Sequence, residues 1–287
     1  MSGFLRSAAG ALFLASGRAS RNRRAYGPGP GLRIVALHAE DTDDFDTFRR
    51  LVDWFGSRLP IADPSCLDDG ATPLQRDELL LTFDDGHART FRAMEWLAKA
   101  GIRVVYFVIP SYLNRSVREF LAHHASRGVT AYNIAGPHDL DKTHGLESGQ
   151  LRELEAMGHR IGAHNDAHRD LAVLDADGIA YEVSGGVDLL ERYLDHRVDD
   201  FAWAFGWIDA VTPASLDAMR ARCRRVFSSV RGWNVPGVTP AVFLRDPLSV
   251  DEPALFREAC LRGAVDHRYA AARARLMQMT GRRWDLA

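Results

Sequence analysis

Residues 79–87 read Leu-Leu-Leu-Thr-Phe-Asp-Asp-Gly-His, and no other stretch constrains the fold as tightly. Three consecutive leucines running into two adjacent carboxylates and a glycine describe a strand buried on both faces. Parallel strands of α/β proteins have this character, and their carboxyl ends are where active sites gather. Asp84 and Asp85 would stand at that end, where one carboxylate can ligate a metal while its neighbour takes a proton. A strand closed by an ordinary Asp-Gly turn would read the same way and need no chemistry.

A second stretch separates those readings. Residues 160–164, Arg-Ile-Gly-Ala-His, read as a short strand that runs into His164-Asn165-Asp166-Ala167-His168. Two histidines four residues apart can face one ion, and imidazole is a common zinc ligand. The helical metalloprotease pattern is excluded, because no glutamate follows the first histidine. Together, Thr82-Phe83-Asp84-Asp85-Gly86 and the His-x-x-x-His segment resemble the polysaccharide deacetylase family, the carbohydrate esterases sharing a NodB-like domain, over roughly residues 33–246. The resemblance implies an incomplete (β/α)7 barrel. It also implies Asp84 as general base, and Asp85, His164 and His168 as ligands of a divalent metal, with zinc the expected ion and other divalent ions compatible. The implied substrate is an acetylated sugar, polysaccharide or glycolipid.

The periodicity supports this architecture. Strands are expected over 32–38, 79–83, 104–109, 160–164, 201–205, 226–230 and 241–244, alternating with amphipathic helices such as 45–59, where Phe45, Phe48, Leu51, Val52 and Phe55 share a face. Gly185 and Gly186 interrupt the helix expected around 179–194, at about 1 kcal/mol each relative to alanine. Residues 111–149 are polar, hold His123, His124, His138 and His144, and read as loops around a short helix, with those histidines expected in solvent. Pattern alone allows an open parallel sheet as well as a barrel.

Two family features are absent. In the third family motif an arginine holds the catalytic base, and the amide of the residue before the glycine stabilises the oxyanion. This chain has Phe201-Ala202-Trp203-Ala204-Phe205-Gly206, which keeps Phe205 as the implied amide donor but lacks the arginine. The later Leu-x-His motif, source of the general acid, is replaced by Leu244-Arg245-Asp246. His38 at the end of the first strand and His87 after the second motif aspartate are the candidates for the missing proton donor. Arg245 is expected either to contact substrate or to orient Asp84. Trp203, Trp207 and Trp233 suit sugar stacking or the core equally.

Length and composition fit one barrel-sized domain over 32–287, preceded by a separate segment over 1–31 that ends in a Gly-Pro linker. A net charge of −2 argues against nucleic acid as a partner. Cys66, Cys223 and Cys260 form no disulfide or zinc pattern, which fits a reducing compartment. Leu5, Ala8, Ala9, Leu12 and Phe13 followed by Arg18, Arg21, Arg23 and Arg24 describe an amphipathic helix on an anionic membrane, a weak secretory signal, or a terminal helix packed on the domain. The expected setting is cytoplasmic, with peripheral contact at the inner membrane face through residues 1–26. Three functions follow: deacetylation of an N-acetylated sugar in polysaccharide or glycolipid synthesis, a lapsed barrel that binds metal and carbohydrate without turnover, and hydrolysis of a small non-sugar amide. Retention of both Asp84 and Asp85 favours an enzyme.

Overall fold

Residues 78–83 form an interior strand of a parallel sheet and residues 84–87 the turn after it, in a computed structural model that describes residues 3–27, 29–68, 71–135, 139–235 and 242–281. In chain order the elements are α1 (Gly3–Ala15), α2 (Arg18–Arg24), β1 (Leu32–Leu37), α3 (Phe45–Gly56), β2 (Glu78–Phe83), α4 (Phe91–Lys99), β3 (Val105–Val108), α5 (Val117–Ala125), α6 (Ser148–Ala156) and β4 (Arg160–Ala163). They continue with α7 (Ala176–Ala180), α8 (Gly186–Leu194), β5 (Asp200–Ala202), α9 (Pro213–Arg222), β6 (Arg225–Phe227), β7 (Asp246–Pro247), α10 (Ala254–Leu261) and α11 (Ala270–Thr280).

The seven strands pair in parallel in the order β6-β5-β4-β3-β2-β1-β7. Phe243 bridges Phe227 of β6, while Asp246, three residues on, pairs with Val35 of β1. Residues 243–247 therefore touch both ends of the sheet and curl it into the incomplete (β/α)7 barrel that the motifs imply. Alternate residues explain the unbroken apolar runs. Ile34, Leu80, Val105, Phe107, Ala202 and Phe227 meet inside the curl, whereas Val35, Leu79, Leu81 and Phe83 pack outward under the helices.

Several expected boundaries shift. The fifth strand ends at Ala202, and Phe205 lies beyond it in a left-handed turn (φ 64°). The expected last strand at 241–244 is reduced to the single Phe243 bridge, and the paired β7 comes later, at Asp246; Ala241 lies outside the described residues. Apolarity misplaced this strand, because its pairing residue is a carboxylate. Asp246 is fully buried and accepts from Arg33 Nη2 (2.8 Å) on β1 and Arg231 Nη1 (3.2 Å), while Arg33 also donates to Asp266 (2.8 Å) beyond α10. This buried ion cluster fastens β1, β7 and the C-terminal helices together. At the other terminus, α1 lies along α10, Asn22 Nδ2 donates to Gly263 O (2.7 Å), and Arg23 pairs with Asp77 (2.6 Å).

Candidate active site

Asp84 and Asp85 follow the carboxyl end of β2. By the two-residue period Asp84 continues the inward face of Leu80 and Thr82, and the positive φ of Asp85 (78°) turns the second carboxylate toward the same cleft. His164 follows β4, and His168 closes the next loop, also at positive φ (53°). Asn165 and Phe205 share this conformation, so four of the six left-handed non-glycine residues among those described cluster here. Such backbone is costly and persists only where surrounding contacts fix it.

Those contacts are specific. Glu182, fully buried, accepts from the amides of Asp166 (3.2 Å) and Ala167 (3.1 Å) and from Arg169 Nε (2.5 Å), so one carboxylate gathers the histidine loop. Its helix accommodates this through a single π turn over residues 181–185, a feature common near functional sites. Gly186 then packs flush beneath the loop, since a Cβ there would lie 3.3 Å from Asn165 O and 3.3 Å from Asp166 Cβ. Of the glycine pair that looks unfavourable in a helix, Gly186 thus packs tightly against the site, whereas a Cβ on Gly185 would meet only Ala180 O at 3.8 Å. Asn165 bonds Arg169 O (3.0 Å) through Nδ2 and accepts from the Ala204 amide (3.1 Å) through Oδ1, tying the histidine loop to the Phe205 turn.

The ligand-type atoms converge. Asp85, His164 and His168 present donor atoms all within 4.8 Å of one another, with Asp85 Oδ1 3.6 Å from His164 Nε2 and 3.5 Å from His168 Nε2. His164 Nδ1 bonds Ala202 O (2.7 Å), which assigns its proton to Nδ1 and leaves the Nε2 lone pair facing Asp85. Burial pushes His168 down to about 4, outweighing Asp85. Burial alone would raise Asp85, but the neighbouring histidines hold it at about 2. An ionised carboxylate and neutral imidazoles are the states a cation binds. Tetrahedral zinc with bonds near 2 Å separates its donors by about 3.3 Å, close to the 3.5 and 3.6 Å between Asp85 Oδ1 and the two imidazole nitrogens, so the two-nitrogen, one-oxygen set suits a divalent ion.

Arg245 reaches this centre from the segment that closes the barrel. Its guanidinium is fully buried over the Phe107 ring (5.0 Å) and donates from Nη1 (2.7 Å) and Nη2 (3.0 Å) to the two oxygens of Asp84. Nη1 also meets Thr82 Oγ1 (3.1 Å), and Nε donates to Ser228 O (2.9 Å). Of the two expectations for Arg245, the geometry corresponds to orienting Asp84. Burial would raise the Asp84 carboxyl, but the charge and hydrogen bonds of Arg245 together with His164 and His38 outweigh it, leaving the group below the ordinary carboxylate range.

Asp84, Asp85, His164, His168, His38 and Phe205 all line one cleft of about 300 Å3, together with Tyr132, Ile134, Trp207, Ser229 and Pro247. His38 faces Asp85, Asp84 and Asp41. Burial would lower its pKa, but these carboxylates raise it above the usual histidine value. Phe205 contributes an amide whose neighbours are engaged, Ala204 N with Asn165 Oδ1 and Gly206 N with Trp203 O (3.1 Å), while its own N–H has no acceptor among the described residues.

His87 does not line the cleft. It is buried behind Asp85, 3.8 Å from Oδ2, with Nδ1 at 3.1 Å from Tyr112 Oη, and burial lowers its pKa, so it lacks the access and the charge of a proton donor. Of Trp203, Trp207 and Trp233, Trp207, 67% exposed, stands at the rim. Trp203 is core, its Nε1 donating to Trp207 O (3.1 Å), and Trp233 lies under Arg23 and Arg33. His124, expected in solvent, is buried between Ser111 Oγ (2.7 Å) and Tyr181 Oη (2.8 Å); His138 lies outside the described residues. Tyr132 escaped the sequence reading, being a lone aromatic in a polar loop. Its amide donates to Ala167 O (3.0 Å), and its half-exposed ring packs on His168 and Phe205.

Comparison with known proteins agrees with this geometry. A family model described as polysaccharide deacetylase matches residues 71–223, just over half of the chain and including both motifs. No curated protein matches the sequence. Among solved structures, the Streptococcus pyogenes deacetylase PplD in complex with acetate superposes at a TM-score of 0.59, with 16% identity over 82% of this chain and 99% of the other. IcaB from Ammonifex degensii gives 0.55, with 20% identity over 83% and 97%. The de-N-acetylase from Aggregatibacter actinomycetemcomitans gives 0.62, with 15% identity over 79% and 98%. At these identities the likeness speaks for the fold alone. The family match, extending through both the aspartate and the histidine motif of one cleft, carries the assignment: this chain belongs to the polysaccharide deacetylase family.

Proposed function

We infer that the protein is a metal-dependent hydrolase that removes the acetyl group from an N-acetylated sugar. One observation carries the reading: Asp84, kept ionised by Arg245, stands beside the Asp85–His164–His168 cluster in a single cleft. Asp85, His164 and His168 would hold the ion. When bound, a divalent metal supplies Lewis-acid polarisation of a carbonyl and acidifies water.

The chain's own residues account for the remaining work. Asp84 takes the proton of the attacking water, its lone pairs aimed by the two-pronged Arg245 contact. The unengaged Phe205 amide donates to the oxygen that becomes negative as the acetyl carbon turns tetrahedral. His38, which lines the cleft beside Asp84, delivers a proton to the departing sugar nitrogen. Tyr132 and Trp207, exposed at the cleft, offer apolar faces to a sugar ring. Arg245 and His38 thus provide counterparts for the two family residues missing from their usual motifs. That supports turnover over a lapsed, binding-only barrel.

The test is acetate release from a panel of N-acetylated sugars, nucleotide sugars and lipid-linked sugars by metal-loaded protein. Release from at least one sugar is expected, and sugar binding without any release would shift the assignment to a binding protein. The loop beneath the ligands makes a further expectation. Glu182→Ala removes the acceptor for two loop amides and Arg169, and it should weaken metal affinity by about 10–100-fold. Metal titration with a competing chelator checks this, and an unchanged affinity would dissociate Glu182 from the site.

A further inference from the structure

The barrel accounts for the cleft but not for the surface built by residues 5–25. Helix α1 is seated on α10 at close range: a Cβ on Gly10 would come within 2.6 Å of the Leu255 backbone, and Arg6 Nη1 pairs with Glu252 Oε1 at 2.7 Å. Seating one face leaves the opposite face outward, and that face holds no charge. Leu5 (52% exposed) and Leu12 (68%) stand on it with Ala8 and Ala15, at helical spacing, and Leu255 of α10 (47%) is exposed nearby. These are three of the six large apolar side chains exposed among the described residues.

The adjoining surface is basic. Residues 1–39 contain six arginines and no aspartate or glutamate. Arg6, Arg23 and Arg33 are spent on Glu252, Asp77 and the buried cluster. Arg21 and Arg24 on α2 are exposed and have no ion-pair partner among the described residues. Arg24 also borders a shallow groove with Arg76 and Gln75, in which Arg23 already neutralises the Asp77 carboxylate.

We propose that the outer faces of α1 and α2 form a docking surface for an anionic lipid bilayer, with Leu5 and Leu12 entering the interfacial layer and Arg21 and Arg24 meeting headgroup phosphates. A bilayer satisfies both halves of the surface together, apolar area and unpaired positive charge. A second copy of the chain docking through the same two helices would not, because residues 1–39 hold no carboxylate to set against Arg21 and Arg24. The surface involves no residue of the cleft, and vesicle binding requires no turnover, so the docking proposal and the deacetylase reading fail independently.

The experiment is co-sedimentation of the full chain with vesicles of phosphatidylcholine alone or mixed with phosphatidylglycerol, at low and high salt. Binding to the mixed vesicles is expected, with loss on adding salt. The pairs Leu5→Gln/Leu12→Gln and Arg21→Gln/Arg24→Gln should each lower the partition coefficient about tenfold or more while leaving the thermal midpoint near that of the parent. Absence of binding to mixed vesicles would overturn the proposal, as would equal binding by the leucine pair. A dimer that the leucine pair converts to monomer, with no vesicle binding by either form, would assign the surface to a second copy instead.

Discussion

Asp84→Asn should bind the metal and lose turnover. The asparagine cannot take a proton from water, and removing a positioned general base costs about a hundredfold to ten-thousandfold in kcat. Asp85, His164 and His168 are untouched, so metal content measured on the purified variant should equal that of the parent. The substitution also deprives the buried Arg245 of its counter-charge, so the comparison belongs well below the thermal midpoint, with folding checked alongside. Normal metal with lost acetate release would separate the base from the ligands. Loss of both together would mean that Asp84 is itself a ligand.

Arg245→Met should carry the largest stability effect of any single change near the cleft. It strands a buried carboxylate, and breaking such a pair from one side costs about 3–5 kcal/mol. The pH dependence has a definite sign. With Arg245 present, the Asp84 carboxyl lies below its ordinary value, so the pair contributes stability above that value and loses it as pH falls through the depressed one. Without Arg245, burial alone pushes the carboxyl upward, and the variant regains its standing in acid by protonating. Denaturant unfolding should therefore show a gap between parent and variant that narrows toward acid, and the acid limb of kcat/KM should move to higher pH. Combining Arg245→Met with Asp84→Asn should cost less than the sum of the two alone, because the double variant leaves no charge unpaired. Strict additivity would mean that the two groups do not interact.

These two residues also mark how far the sequence could be read. Leu79–Leu81 announced a strand because both its faces are buried, and Asp84 and Asp85 were legible because the strand ended on them. His164 and His168 were legible as a pair by their spacing. Arg245 was legible only as a residue with two open roles, substrate contact or orientation of Asp84, since its partner lies 161 residues away and the guanidinium arrives just before a strand formed by Asp246 and Pro247. Nothing local in Leu244-Arg245-Asp246 announces a pairing strand, because the buried side chain that helps to fix it, Asp246, is stabilised by Arg33 and Arg231 and not by apolarity. Glu182 escaped for a related reason. On a helix it reads as solvated surface, and only the fold turns it inward beneath the histidine loop. His87 errs the other way: adjacency to the motif suggested chemistry, yet the turn after Gly86 carries it behind Asp85, against Tyr112. Local pattern therefore identified residues that end strands, and left open or missed those whose role depends on an ion pair formed across the barrel.

The claim that joins these observations is that Asp85, His164 and His168 hold one catalytic ion. The most direct test measures metal and acetate on the same sample. Protein stripped with a chelator is titrated with a divalent ion while acetate release from an N-acetylated sugar is followed. No release is expected from the stripped protein, with full recovery at one ion per chain and no recovery in His168→Ala. Release at an undiminished rate from stripped protein, or full activity in His168→Ala, would contradict that claim.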